Sequence, residues 1–346
     1  MAFTPKYLAT GIGSFPHLDT ERVCDLILSS LPEIPLWPQL SKADYREQME
    51  IQYSEGFPCV KLDEAKQRMF FDTSGDPTGE LEKFYENVVT ENFDYFLISK
   101  EFGRGIYAMA EKLSTLKPPS ILYFKNHVTG PFTFGLTIVD EDKRAIYYNE
   151  VFRDVIVKGI TMKARWLLNK FNAFGYKQIC FIDEPILSAF GSSTYVSIQK
   201  TEVAELLNEV VEAVRQEGAL VGTHCCGNTE WPILIDAGVD IISFDAYEFG
   251  DTIAYYPKQV KDFLEKGGVL AWGIVPTSDK IVEESPESLR KKLEIHIDNL
   301  AGKGIDKELI QKQCLITPSC GTGSLTVEYS EKIFQELTRL SKLLRS

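Results

Sequence analysis

Residues 201–245 read TEVAELLNEVVEAVRQEG, then ALVGTH, then CCGNTEWPILIDAG, then VDIISFD. Apolar residues recur every three or four positions in the first block, which predicts a helix over Thr201–Glu217. Gly218 follows, where a helix C-cap wants a residue free to take φ > 0. The β-branched run Ala219–His224 predicts a strand. The same cycle then repeats with a helix over Thr229–Ala237, Gly238, and a strand over Asp240–Asp245. Helix and strand in strict alternation predict parallel strands joined by right-handed crossovers.

The rhythm extends in both directions. Strands are predicted at Ile121–Val128, Gln178–Asp183, Val269–Gly273 and Cys314–Pro318, with helices at Tyr147–Phe171, Pro257–Lys266, Pro286–Gly302 and Val327–Leu344. Near the N-terminus, Leu8–Gly13 reads as a first strand and the Pro-flanked Ile34–Trp37 as a short second. Eight strands predict a single (β/α)8 TIM barrel spanning residues 1–346. Residues 42–119 are less regular. They read as an excursion between the second and third strands, a small hairpin followed by helices, placed where a lid would sit. The rival layout, an open doubly wound sheet, advertises G-x-G-x-x-G after its first strand. Gly11-Ile12-Gly13-Ser14-Phe15-Pro16 holds only the first half of that motif, with Pro16 where the third glycine belongs.

Composition narrows the function. The 346 residues are 44% hydrophobic and 25% charged, ordinary for a globular protein with a sizeable core. The net charge of −13 argues against nucleic-acid and anionic-membrane partners, which want a basic surface. No basic-then-apolar leader opens the chain and no run approaches 18 apolar residues, so a cytoplasmic protein is expected. Seven cysteines, an odd number, without a leader argue against a disulfide framework. Cys24, Cys59, Cys180 and Cys314 sit among apolar neighbours and read as core residues.

The polar residues interrupting the apolar runs cluster at predicted strand ends: Ser14, Asp183-Glu184, His224 and Cys226, Asp245, and Cys320. In a barrel these ends open onto one face, where loops build the active site. Side chains alternate on an extended strand end, so His224 and Cys226 face one way and Cys225 the other. Such a pair offers two ligands at about 2.0–2.3 Å from a zinc ion. Cys320, flanked by glycines at the end of the last strand, offers a third. Buried structural thiols are one other reading. A Cys/His nucleophile pair is another, although it leaves the second thiol without a task. Two thiolates and one imidazole give a charge-neutral zinc site that suits activation of a thiol, and hence S-alkylation, better than production of hydroxide.

At these residues the chain resembles the catalytic barrel of cobalamin-independent methionine synthase, in the uroporphyrinogen-decarboxylase-like superfamily. The matching pieces are Ile12-Gly13-Ser14-Phe15-Pro16, Thr129-Gly130-Pro131-Phe132-Thr133, Asp183-Glu184-Pro185, His224-x-Cys226, Ile242-Ser243-Phe244-Asp245 and Pro318-Ser319-Cys320-Gly321. They occur in family order from near residue 10 to near residue 325. The resemblance implies that His224, Cys226 and Cys320 are zinc ligands, with Asp245 at the place of the family's fourth ligand, a Glu. Glu248 or water are the other candidates for that position. It also implies that Asp183 binds the substrate amino group, that Glu184 supports it, and that the backbone of Ile12 and Ser14 holds the amino acid.

Two departures stand out. The family's relay His after the seventh strand is missing, since the segment reads Ala271-Trp272-Gly273-Ile274-Val275-Pro276-Thr277. The second, folate-binding barrel of the full-length enzymes has no room here. What the resemblance implies is a stand-alone zinc-dependent methyltransferase. Homocysteine is its first acceptor, and the donor is methylcobalamin or a corrinoid protein in place of methyl-folate. Another thiol such as coenzyme M, a decarboxylase-like activity and a non-catalytic zinc protein are the alternatives. His17, His127 and His296 read as structural or surface residues.

Overall fold

The computed structural model describes residues 3–192, 195 and 198–346. Its main sheet is built from β1 (Leu8–Ala9), β4 (Tyr123–Thr129), β5 (Lys177–Asp183), β6 (Leu220–Cys225), β7 (Ile241–Phe244), β8 (Val269–Val275) and β9 (Cys314–Pro318). A separate antiparallel hairpin pairs β2 (Val60–Asp63) with β3 (Arg68–Phe71). The main sheet runs in the order β1-β9-β8-β7-β6-β5-β4, and every pairing in it is parallel.

The expectation of a closed eight-stranded (β/α)8 barrel is therefore corrected. Among the described residues the sheet is seven-stranded, curled and open, with β1 and β4 as its edges. The expected second strand, Ile34–Trp37, does not form. Its surroundings carry Pro32, Pro35 and Pro38, each without the N–H a ladder needs. The segment makes only single bridges, Leu36 with Lys125 and Gln39 with Ser14. They are held by Lys125 N donating to Pro35 O at 2.8 Å and Phe15 N donating to Gln39 O at 2.9 Å. The first strand is also shorter than the predicted Leu8–Gly13.

Two hydrophobic layers hold the sheet. Leu8, Ile34, Ile179, Phe181, Ile241, Val269, Ala271 and Leu315 fill its concave side. The convex side packs against helices, the longest being Glu150–Asn172, whose N-cap Asn149 accepts from Val151 N and Phe152 N. Gly218 and Gly238, read as helix stops, have φ of +80° and +85°. That left-handed backbone costs an L side chain about 1 kcal/mol or more.

Residues 42–119 hold the hairpin and the helices Thr78–Val89 and Arg104–Leu116, and they are tied to the sheet at specific points. Tyr53 OH donates to His127 O at 3.0 Å. Lys163, fully buried on the long helix, donates to Phe96 O and Leu97 O, each at 3.2 Å. Gly105 lies against Pro38 O, so close that a Cβ there would sit 1.8 Å from the oxygen. Among the described residues no helix is long and apolar enough to cross a membrane.

Candidate metal centre

Register along the sheet sets the site. Thr129 on β4 pairs with Asp183 on β5, Asp183 with His224 on β6, and His224 with Ser243 on β7. Residues in register share a face, so these side chains form a row along the concave side at the C-terminal strand ends. Cys225, one position on, is fully buried with its thiol directed to Gly227 O at 3.6 Å. The alternation returns Cys226 to the side of His224.

His224, Cys226 and Cys320 come together, with one ligand atom from each lying within 4.8 Å of the others. A tetrahedral zinc with bonds of about 2.0–2.3 Å wants donors about 3.3–3.8 Å apart, close to the scale of this group. His224 is 3% exposed. Its Nδ1 lies 3.0 Å from Ser243 Oγ, and its Nε2 is buried with no partner among the described residues. Burial, reinforced by the Lys125 charge, pushes its pKa down to about 3. The ring is therefore neutral, and in the tautomer whose Nδ1–H donates to Ser243 Oγ, Nε2 carries the lone pair. The contact with Cys320 pulls the Cys226 thiol down to about 7, while that contact and burial push Cys320 up. Both cysteines are partly exposed. A soft donor set of two thiols and a buried imidazole, whose two thiolates would balance a divalent ion, fits zinc.

Asp245 does not join this group. It is the N-cap of the short helix Ala246–Phe249 and accepts from Glu248 N at 3.0 Å. Burial raises its carboxyl to about 6. Glu248 pairs instead with Lys280 across the loop.

Asp183 stands beside His224, half-buried, with Oδ1 shut off from solvent and without a partner among the described residues. Burial lifts its carboxyl to about 7, and Lys125 pulls the other way. Glu184 is fully buried and anchors the neighbouring loop. It accepts from Phe132 N at 2.9 Å, and from Thr133 N and Oγ1 at 2.7 and 2.6 Å. Burial lifts it as well, to about 7, against those hydrogen bonds. Ile12 O accepts from Lys125 Nζ at 2.6 Å. Ser14 O accepts from Thr322 N and Oγ1, and Ser14 Oγ from Gly323 N. These bonds dock the N-terminal loop onto the loop carrying Cys320.

Two residues of the concave face escaped the sequence reading. Lys125 is fully buried, donates to Ile12 O and lies 4.3 Å from the Phe181 ring centroid. His127, 2% exposed, stacks on Trp37 at 3.8 Å between centroids, and neither ring nitrogen has a partner among the described residues. His17 and His296 do pair, with Glu331 and Asp251 respectively. The available signal was the KNH triplet interrupting the apolar run of β4.

No family model matches the chain, and no curated protein does. Among solved structures it is similar to one from work on inhibition of the pneumococcal virulence factor StrH. Identity is 12%, over 99% of this chain and 83% of that one, with a TM-score of 0.46. A second likeness is to the tandem GH20 catalytic modules of the pneumococcal exo-β-D-N-acetylglucosaminidase StrH. There identity is 11%, over 97% and 85% of the chains, with a TM-score of 0.47. A chitobiase from Flavobacterium johnsoniae matches at 10% over 98% and 52%, with a TM-score of 0.37. Likenesses this distant say nothing of the chemistry here.

Proposed function

We propose that this chain is a cytoplasmic, zinc-dependent thiol S-methyltransferase of the methionine-synthase type, with homocysteine as its acceptor and a methylated corrinoid as its donor. The observation that carries the reading is the convergence of His224, Cys226 and Cys320 on one point. A zinc ion in that donor set lowers the pKa of a thiol ligand and keeps it nucleophilic near neutral pH. The remaining work falls to the chain. Ser243 fixes the His224 ring so that Nε2 faces the ion. Asp183, in the next register position, takes the substrate ammonium. Its buried, partnerless Oδ1 favours an amino-acid thiol over coenzyme M, whose sulfonate it would repel. The thiol gives its proton to solvent. A new S–C bond forms as the bond from methyl to donor breaks, with the electron pair leaving on the donor; from methylcobalamin, cobalt departs in its +1 state.

The test is metal content of the purified protein. About one zinc per chain is expected in wild type, lost in Cys226→Ala and in Cys320→Ala. Methyl transfer to homocysteine from methylcobalamin, compared with methyl-folate, then identifies the donor. A protein that takes up no zinc under reducing conditions sinks the proposal.

A further inference from the structure

A row of buried polar atoms without partners among the described residues runs across β4, β5 and β6: Thr129 Oγ1, Asp183 Oδ1 and His224 Nε2, with both ring nitrogens of His127 one step deeper. Native proteins leave few such atoms unsatisfied, and each costs about 1–3 kcal/mol unless a ligand or water meets it. Thr129 and His127 are 1% and 2% exposed, so these are not surface groups idling in solvent. The ring of His127 is held in place by Trp37 on its face and by Tyr53 on its own backbone carbonyl. Gly13 leaves room for it, since a Cβ there would lie 2.9 Å from Nε2.

The charges along the row are ordered. β5 contributes an acid, Asp183. β4 contributes hydrogen-bond donors, the Thr129 hydroxyl and the His127 N–H, backed by the Lys125 ammonium. Burial, with Lys125 adding to it, holds His127 well below its ordinary pKa, so the ring is neutral with one N–H to give. Lys125 donates to Ile12 O, and among the described residues no carboxylate oxygen lies within 4.0 Å of its Nζ. A buried ammonium wants a counter-charge.

We infer that β4 supplies the carboxylate half of an α-amino-acid site: Thr129 and His127, backed by Lys125, take the substrate carboxylate while Asp183 takes its ammonium. Strands about 4.8 Å apart then arrange carboxylate, ammonium and thiol sites in the order β4, β5, β6, the order of those groups along homocysteine. The inference rests on the proposed thiol reading and adds its specificity determinant.

The test is calorimetric binding of three thiols to the zinc-loaded full chain. They are homocysteine, 3-aminopropane-1-thiol, which lacks only the carboxylate, and 4-sulfanylbutanoate, which lacks only the ammonium. Wild type is expected to prefer homocysteine to the aminothiol by roughly tenfold or more. Thr129→Val or His127→Phe is expected to erase most of that preference by weakening homocysteine alone, at unchanged zinc content. A wild type indifferent to the carboxylate, or a preference that survives in both variants, overturns the assignment. If no thiol binds at all, the methyltransferase reading falls instead. Methionine against 3-(methylsulfanyl)propan-1-amine, a pair that needs no metal–sulfur bond, then decides the carboxylate site by the same criteria.

Discussion

His224 Nδ1 lies 3.0 Å from Ser243 Oγ on the adjacent strand, and the opposite nitrogen, Nε2, has no partner among the described residues. When Nδ1–H donates to the hydroxyl, Nε2 carries the lone pair a metal requires. Ser243→Ala removes the bond that selects this tautomer while leaving the three ligands in place. Zinc affinity measured by chelator competition is expected to fall about 10- to 100-fold, with an unchanged circular dichroism spectrum. Wild-type affinity in the variant would show that Ser243 does not orient the ring.

Asp245 caps the helix Ala246–Phe249 through Glu248 N. Asp245→Ala is expected to keep about one zinc per chain and to lose about 1 kcal/mol of stability, the usual effect of deleting a cap. Loss of zinc in this variant would make Asp245 a fourth ligand after all.

Gly105 sits where a Cβ would lie 1.8 Å from Pro38 O. Backbone cannot yield as a side-chain tip does. Gly105→Ala is expected to destabilise the protein by roughly 2–3 kcal/mol or more, read as an earlier urea midpoint. Gly79, at the start of the helix Thr78–Val89 with nothing within 4 Å of the added atom, is the control; Gly79→Ala should be neutral or mildly stabilising. Equal effects at the two positions would refute the close-approach explanation.

Burial lowers the Lys163 pKa from its ordinary 10.5 to about 7. Between those values the unfolded chain binds the extra proton, so stability rises with pH by at most about 1.4 kcal/mol per unit. Below pH 7 the full cost of burying the charge is present. Wild type is therefore expected to gain on Lys163→Met as pH climbs from about 7.5 to 9.5 in urea melts. Parallel pH profiles for the two proteins would contradict a neutral buried amine.

Much of this was legible locally. The alternation around Gly218 and Gly238 located β6 and β7, because helix and strand periodicity and the need for positive φ are properties of short segments. The strand-end residues His224, Cys226, Asp183 and Cys320 were legible for the same reason, since side-chain alternation fixes facing within one strand. Closure of the sheet was not legible in the same way. Ile34–Trp37 has the apolar content of a strand, yet the prolines around it remove ladder donors, and only single bridges to β4 and the N-terminal loop survive. Lys125 and His127 were hidden because a lysine and a histidine in a strand read as surface until the curl of the sheet turns that face inward.

The sequence by itself determined most of the strands and helices, from β4 to the C-terminal helix, and which residue types stand at the strand ends, because those depend on neighbours a few positions away. Tertiary structure alone decided that His224 and Cys320, almost a hundred residues apart, share a point, that Asp245 caps a helix beside that point without joining it, and that the β4 polar residues face Asp183. Those outcomes depend on strand order, register and sheet curvature, which are set by packing between distant segments and carry no local signature.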